Sequence, residues 1–315
     1  MTAGLPAAGA CARPSGAGAA TVEEVADGVF AFVQPDGGWC LNNAGIVVGS
    51  DGCVLVDTAA TRARAETLRR AALRVQEAAP KIVVDTHFHG DHTFGNCVFP
   101  EATVVGHQRT RTAMAGAGLH LTTLWPDVCW GAIDLALPTV TYRDRLTLHT
   151  GATTLELSHP GPAHTTDDTV VWLPGQRVLF TGDLVMSGVT PFIAMGSLSG
   201  SLDALAALRA LRPAVVVPGH GPVGGPGLLD AAEGYLRHLE TLAREGLRAG
   251  RTPLEAARRA DLGPYARLLD AERLVPNLHR AYAELDGAKP GADLDITELF
   301  ADMVRFHGAL PPCRA

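Results

Sequence analysis

The stretch KIVVDTHFHGDH, residues 81–92, decides the fold. Its apolar residues 82–84 are typical of a short buried strand, and the polar residues that follow include His87, His89, Asp91 and His92. Residues two apart on an extended chain point the same way, so His87 and His89 can converge on one ion. Burying polar side chains without partners costs roughly 2–7 kcal/mol each, and a metal ion would offset that cost. The stretch therefore predicts a metal site at the end of a core strand.

Three later segments also bring a histidine or an aspartate to a strand end or turn. They are GPAHTTDD with His164, LFTGDLV with Asp183 and VVPGHGPV with His220. Histidine and carboxylate ligands suit zinc, and manganese and iron accept the same ligand types. A bound metal lowers the pKa of its water to about 7 and polarises a carbonyl oxygen. The predicted chemistry is therefore attack on an ester, thioester, amide or lactone, with no serine or cysteine nucleophile.

With these segments in order, the H-x-H-x-D-H signature at residues 87–92 resembles the metallo-β-lactamase-fold hydrolases. The resemblance implies an α/β (α+β) fold, a four-layer αββα sandwich with its site at one sheet edge. It implies two zinc ions per chain, the first on His87, His89 and His164, the second on Asp91, His92 and His220, and Asp183 as the bridge. Asp91 and Asp183 would be the catalytic carboxylates.

Asp57 ends the apolar hairpin at residues 44–58 and has two interpretations. In the family, an acid at this place lies just outside the metal ligands, where a carboxylate can accept the free ring N–H of a ligand histidine and orient it. Alternatively, Asp57 caps the helix predicted at residues 61–79. Both roles are open at this point.

Composition excludes several other classes of protein. The formal net charge of −7 gives no general attraction to nucleic acid or to an anionic membrane. The six cysteines are scattered without a C-x-x-C pair, which fits a reducing cytoplasm better than a disulfide scaffold. There is neither a long apolar run nor the basic and apolar blocks of a secretory signal, so we expect a cytoplasmic protein rather than an exported β-lactamase.

The chain divides into three predicted parts. Residues 1–20, rich in alanine, glycine and proline, are typical of a flexible tail. Residues 21–225 would form the catalytic domain. Residues 226–315 contain no β-rich run and predict amphipathic helices near 227–249, 253–260, 265–286 and 294–308, a helical extension that would serve as a lid or as the surface of a homodimer.

Several longer segments are similar to the metallo-β-lactamase-fold cyclases of aromatic type II polyketide pathways. They are GGWCLNNAGIVVG from residue 37, LWPDVCWGAIDL, VMSGVTPFIAMGSLSG and the C-terminal RRADLGPYARLLDAERLVPNLHRAYAEL. The resemblance implies closure of the second ring by intramolecular aldol condensation and dehydration, then thioester hydrolysis from an acyl carrier protein. Trp39, Trp125, Phe192 and Met195 would line the polyketide pocket, although tryptophans more often pin a loop to the core.

A face of arginines on the first predicted helix could meet the acidic carrier protein. It comprises Arg62, Arg69, Arg70 and Arg74. A solvated helix face, partly neutralised by Glu66 and Glu77, is the simpler explanation. Two other functions remain open: a generic thioesterase or lactonase of the fold, and a non-catalytic binding protein, of which lost metal ligands would be the sign.

Overall fold

The structure, a computed structural model, describes residues 18–50 and 52–315. The tail predicted at residues 1–20 lies almost entirely outside the described residues. Five cysteines are within them: Cys40, Cys53, Cys97 and Cys313 carry free thiols, and Cys129 is disulfide-bonded. This disulfide does not support the reducing compartment expected from the scattered cysteines, so a cytoplasmic location stays a prediction. In the described part of the chain, no helix is both long and apolar enough to cross a bilayer.

The first sheet places residues 81–92 next to the hairpin at residues 44–58. Its seven strands lie in chain order: β1 Thr21–Ala26, β2 Val29–Val33, β3 Ala44–Gly49, β4 Gly52–Val56, β5 Ile82–Val84, β6 Thr103–His107 and β7 Val140–Tyr142. The predicted hairpin is confirmed, since β3 and β4 pair antiparallel. Strands β4 and β5 are parallel, so their carboxyl ends meet at one edge. That edge carries Asp57 after β4 and His87 after β5.

The second sheet supplies the remaining candidate ligands. Its spatial order is β12-β11-β10-β9-β8, from β8 Arg145–Thr150, β9 Thr153–Ser158, β10 Val170–Leu173, β11 Val178–Phe180 and β12 Val215–Val217. Strands β11 and β12 are parallel, so Asp183 and His220 follow strand ends at the same edge. His164 lies in the loop between β9 and β10.

Nine α-helices are found among the described residues. They are α1 Arg62–Val75, α2 Gly90–Thr93, α3 Gln108–Ala117, α4 His120–Leu124, α5 Leu198–Ala210, α6 Gly227–Arg248, α7 Pro253–Arg259, α8 Leu274–Leu285 and α9 Ile296–His307. Thr61 caps α1, because its side chain accepts a hydrogen bond from the backbone N–H of Arg64. The alternative in which Asp57 caps this helix is therefore wrong.

Three apolar layers hold the sheets and helices together. The inner faces of the two sheets meet in a core that includes Val56 and Val84 from the first sheet and Phe180 from the second. The outer face of the first sheet packs on α1, and the outer face of the second packs on α5, α6 and α8. Each fully buried leucine or valine contributes roughly 1.5–3 kcal/mol relative to an exposed one. This is the predicted four-layer αββα sandwich with a C-terminal helical part.

One predicted helix of the extension is wrong in its first half. The pattern predicts a helix over residues 265–286, but two 3₁₀ turns, Gly263–Arg267 and Ala271–Arg273, precede α8. Asp270 between them is left-handed, with φ of 56°. Leu269 exchanges backbone hydrogen bonds with the loop at Gly188 and Thr190, at 3.0 and 2.9 Å. Because these long-range partners satisfy its backbone, the segment has no need of helical hydrogen bonds there.

Candidate metal centre

Seven side chains at the shared sheet edge form two adjoining clusters. In each cluster the candidate ligand atoms lie within 4.8 Å of one another. The first cluster is His87, His89, His164 and Asp183, and the second is Asp91, His92 and His220. All seven are the residues expected from the sequence, and the structure brings all of them together.

Glycines allow the turns that carry these ligands to approach so closely. A Cβ atom on Gly219 would lie 1.9 Å from Oδ1 of Asp183, so a larger residue would displace the carboxylate. Gly90 opens the short helix α2, where a Cβ would lie 2.3 Å from the Phe94 ring. This helix begins directly after His89 and aims Asp91 and His92 at the second cluster.

The histidine rings are held by their outer nitrogens. In His92, His164 and His220 the Nδ1 atom faces an oxygen acceptor: Asp57 Oδ2 at 2.8 Å, Phe192 O at 2.5 Å and Gly37 O at 3.0 Å, respectively. With Nδ1 donating to these oxygens, the Nε2 lone pair is free to face the centre. In His89 it is Nδ1 that faces the centre, and this atom lies 3.0 Å from Nε2 of both His87 and His164.

Asp57 contacts both clusters. Oδ2 of Asp57 also accepts a hydrogen bond from the Thr86 hydroxyl at 2.7 Å, and that hydroxyl lies 3.0 Å from Nδ1 of His87. The backbone N–H of Thr86 donates to Oδ1 of Asp57 at 2.7 Å. One buried carboxylate thus orients His92 directly and His87 through Thr86. The role of Asp57 outside the ligand set follows the expectation, whereas Thr86 has no local motif that would have marked it.

The electrostatics of the two clusters differ. Burial, together with neighbouring histidines, lowers the pKa of His87 and of His89 well below the ordinary value, so both rings are neutral, as metal ligands must be. Burial also opposes a charge on His220, but the Asp183 and Asp91 carboxylates outweigh it and raise its pKa to about 9. The second cluster therefore has a field that favours a cation.

The side chains present fit a pair of metal ions. Oδ1 of Asp183 and Nε2 of His92 are buried without a hydrogen-bond partner although they lie 3.2 Å apart. Oδ2 of Asp183 lies 3.4 Å from Nε2 of both His164 and His220, which places this carboxylate between the clusters. Zinc–nitrogen bonds of about 2.0–2.1 Å would place tetrahedral ligand nitrogens about 3.3 Å apart. The 3.0 Å spacings around His89 are close to that value.

A cavity of about 320 Å³ opens over both clusters. Trp39, Trp125, Phe192 and Met195, the four residues predicted for a substrate pocket, all line it. The sequence did not predict the other non-ligand residues that line the cavity, which are Cys40, His120, Leu121, Leu124, Met186, Arg273, Ile296, Thr297 and Phe300. Since the last three belong to α9, the helical extension forms a wall of the cavity. Its roles as a lid and as a homodimer surface both stay predictions.

The arginine face on α1 is partly occupied by contacts within the chain. Arg62 pairs with Glu66 at 2.9 Å, and Arg69 pairs with Glu101 at 2.5 Å. Arg70 and Arg74 are exposed. Half of this face is therefore engaged in local ion pairs, as the solvated-face interpretation expects, and Arg70 donates to the Thr67 hydroxyl at 2.9 Å.

An αββα sandwich whose sheet edge carries these histidine and aspartate clusters defines the class of metal-dependent hydrolases. The sequence profile of the metallo-beta-lactamase superfamily matches residues 37–220, and the chain belongs to this superfamily. A metallo-beta-lactamase type 2 of Bacillus sp. (strain 170) is 30% identical over 203 residues, 62% of this chain and 70% of the relative. A metallo-beta-lactamase type 2 of Bacteroides fragilis is 25% identical over 221 residues, 67% of this chain and 82% of the relative.

A solved structure gives the same result for the fold. The metallo-beta-lactamase from Pontibacter korlensis superposes with a TM-score of 0.58 at 26% identity, covering 70% of this chain and 99% of that one. The profile match ends at His220, before α6 begins. The helical extension that walls the cavity therefore lies outside the region that the sequence profile matches.

Proposed function

We propose that this metallo-hydrolase is a binuclear zinc cyclase and thioesterase of aromatic polyketide synthesis. It would close the second ring by intramolecular aldol condensation and dehydration, and then release the product from an acyl carrier protein by thioester hydrolysis. The observation that carries the proposal is the cavity, in which the metal clusters meet aromatic walls and α9. Such walls suit a flat, largely apolar acyl chain.

The clusters would hold the two zinc ions, which supply Lewis acidity toward a carbonyl oxygen and a nucleophile from water. Asp91 and Asp183 are the two carboxylates that line the cavity. We assign proton transfer to these carboxylates. They would accept a proton from the carbon next to a ketone during ring closure, and from water during hydrolysis. The Asp91 side chain is 12% exposed and faces Nε2 of His220 at 3.3 Å, so it is open to the cavity and yet oriented.

The aromatic walls would set the order of the two steps. Trp39 contacts both Trp125 and Phe192, each with ring centroids 5.8 Å apart. Phe192 in turn contacts Phe300 of α9 at 6.5 Å. A bound acyl chain packed among these rings excludes water, which favours dehydration of the aldol and delays hydrolysis of the thioester until the ring has closed.

The acyl carrier protein would approach from the side of α1. The exposed residues Arg70 and Arg74 give this helix a positive surface that an acidic carrier protein fits.

A second function, thioester or lactone hydrolysis without ring closure, is favoured by the hydrolases named among the relatives. The same clusters and carboxylates would perform it. The two functions differ in product, since only the first loses a water molecule from the acyl chain.

The test is turnover of a carrier-bound aromatic polyketide whose first ring is already closed, with products identified by mass and ultraviolet spectrum. The zinc-loaded protein is compared with His89→Ala and Asp183→Ala, and with His149→Ala, which removes an exposed histidine of β8. A bicyclic product lighter by one water, lost in the first two variants and kept in the third, is the expected result. Release of the uncyclised acid would replace this function with plain thioester hydrolysis. Absence of turnover with metals bound would overturn the polyketide substrate.

A further inference from the structure

Arg273 reaches the cavity from the helical extension. It ends the 3₁₀ turn Ala271–Arg273, directly before α8, and its side chain is 2% exposed. Its guanidinium lies over the Trp39 ring, 4.1 Å from the centroid, and Trp39 donates from Nε1 to Glu272 at 2.7 Å. Two residues of the extension thus fix the position of one aromatic wall.

The hydrogen-bond donors of this guanidinium are only partly satisfied. Nη1 donates to the carbonyl of Thr190 at 3.2 Å and to the sulfur of Met186 at 3.0 Å. Nη2 lies 3.0 Å from Oδ2 of Asp270, whereas Nε is buried without any partner. An arginine has five N–H donors, and leaving buried donors unpaired is costly. The weak sulfur acceptor and the unpaired Nε leave this guanidinium with donors that no protein oxygen occupies.

The group lies on the side of the second metal cluster. Met186, which contacts Nη1, also pairs through its backbone with His220. Among the described residues that line the cavity, Arg273 is the only lysine or arginine. A ligand that spans the cavity therefore meets the metal cluster at one place and the guanidinium donors of Arg273, which is ion-paired with Asp270, at another.

We propose that Arg273 binds an anionic oxygen of the ligand and so selects acyl chains that carry an acidic oxygen apart from the acyl carbonyl. Enolised β-dicarbonyl groups and phenols are such oxygens, and a guanidinium in an apolar wall stabilises their ionised form. The identification of the ligand as a polyketide rests on the function proposed above. The preference for an anion does not, because it follows from Arg273 and the cavity alone.

The test uses two ligands of equal shape, 1-naphthoate and 1-naphthamide, titrated calorimetrically into the metal-loaded protein. The wild type should prefer naphthoate, and Arg273→Gln should lower that preference about tenfold while naphthamide affinity changes little. The metals also attract a carboxylate, so the decisive quantity is the change between wild type and variant. Arg280→Gln is the matched control, because Arg280 is equally buried in α8, bonds to the carbonyl of Ala194 and does not line the cavity.

Naphthamide binding also reports whether the cavity of each variant is intact. If Arg273→Gln does not fold, Arg273→Lys replaces it: a lysine keeps the charge without the planar fork, and should lower the naphthoate preference several-fold. An undiminished preference in a folded variant, or an equal loss in Arg280→Gln, would overturn the inference. If carrier-bound polyketides are not turned over but the preference still depends on Arg273, the anion site stands and the polyketide substrate falls.

Discussion

Oδ2 of Asp57 lies 2.8 Å from Nδ1 of His92, so a residue after β4 orients a histidine that follows the neighbouring strand β5. The same oxygen accepts from Thr86, which contacts His87 of the other cluster. Asp57 is 2% exposed and has φ of 62°. A buried carboxylate in this position couples the geometry of both candidate metal sites to the parallel pairing of two strands.

Asp57→Asn should weaken metal binding without disturbing the backbone. Asparagine tolerates a left-handed conformation well, but its amide is a poorer acceptor for the ring N–H of His92. We expect a loss of roughly 10–100-fold in affinity, largest at the second cluster. Competition titration against a chelator measures it, with Asp203→Asn, an exposed aspartate of α5, as control. Unchanged affinity at both sites would show that Asp57 does not orient the ligands.

Asp183→Asn and His220→Ala should affect metal content differently. Asp183 lies within 3.4 Å of His164 in the first cluster and of His220 in the second, so its loss should lower occupancy at both sites. His220→Ala should remove the second ion and leave the first. Metal analysis of dialysed protein gives the stoichiometry, and added metal should raise the melting temperature of the wild type most. Equal metal content in the two variants would contradict the bridging position of Asp183.

The fold and the candidate ligands can be predicted from the sequence because short segments carry the signal for both. Each candidate ligand follows an apolar strand or lies in a glycine-rich turn, so short segments such as residues 81–92 already specify both the strand and its terminal ligand. The assignment of His164, Asp183 and His220 to the same centre came from resemblance. The parallel pairing that joins Asp183 and His220 at one edge links strands that are far apart in the chain.

The site residues that could not be predicted from the sequence act through contacts between distant parts of the chain. Thr86 matters only because Asp57, 29 positions earlier, lies beside it. The sequence pattern predicts a helix that includes Arg273, because no glycine or proline marks the break at Asp270. That break is stabilised by two backbone hydrogen bonds, one that Leu269 donates to Gly188 and one that it accepts from Thr190. Hydrophobic periodicity cannot predict such hydrogen-bond partners, because it depends only on residues that are close together in the sequence.

Phe300→Ala should separate large from small substrates. Phe300 extends the aromatic wall from α9 and is half-buried. Its removal should raise KM for an aromatic acyl thioester about tenfold, or about 1.4 kcal/mol, slightly less than the roughly 1.5–3 kcal/mol of a fully buried phenylalanine. Hydrolysis of a small acetyl thioester should be unchanged, because the metal ligands are not touched. Phe306→Ala is the control, since Phe306 lies on the same helix but packs against the helical core. An equal effect on both substrates would mean that α9 acts only through stability.

The stacked rings of His107 and His159 should make the fold sensitive to acid. The ring centroids are 4.0 Å apart, and burial together with the His159 ring lowers the pKa of His107 to about 4. Arg109 also disfavours a charge there, and Asp144 opposes these effects. An unfolded histidine titrates near pH 6.5, so between about pH 6.5 and 4 only the unfolded chain gains this proton.

The stability contribution of His107 is therefore complete above about pH 6.5 and is lost as the pH falls towards 4. His107→Asn should make unfolding less dependent on pH in this window. In the wild type, His107 caps α3, because its Nδ1 accepts from the backbone N–H of Arg109 at 3.4 Å. Asparagine is also a good N-cap residue and can replace this contact. Urea unfolding at several pH values measures the free energy, with the exposed His149→Asn as control. If wild type and His107→Asn lose the same stability on acidification, the buried His107 ring is not the cause.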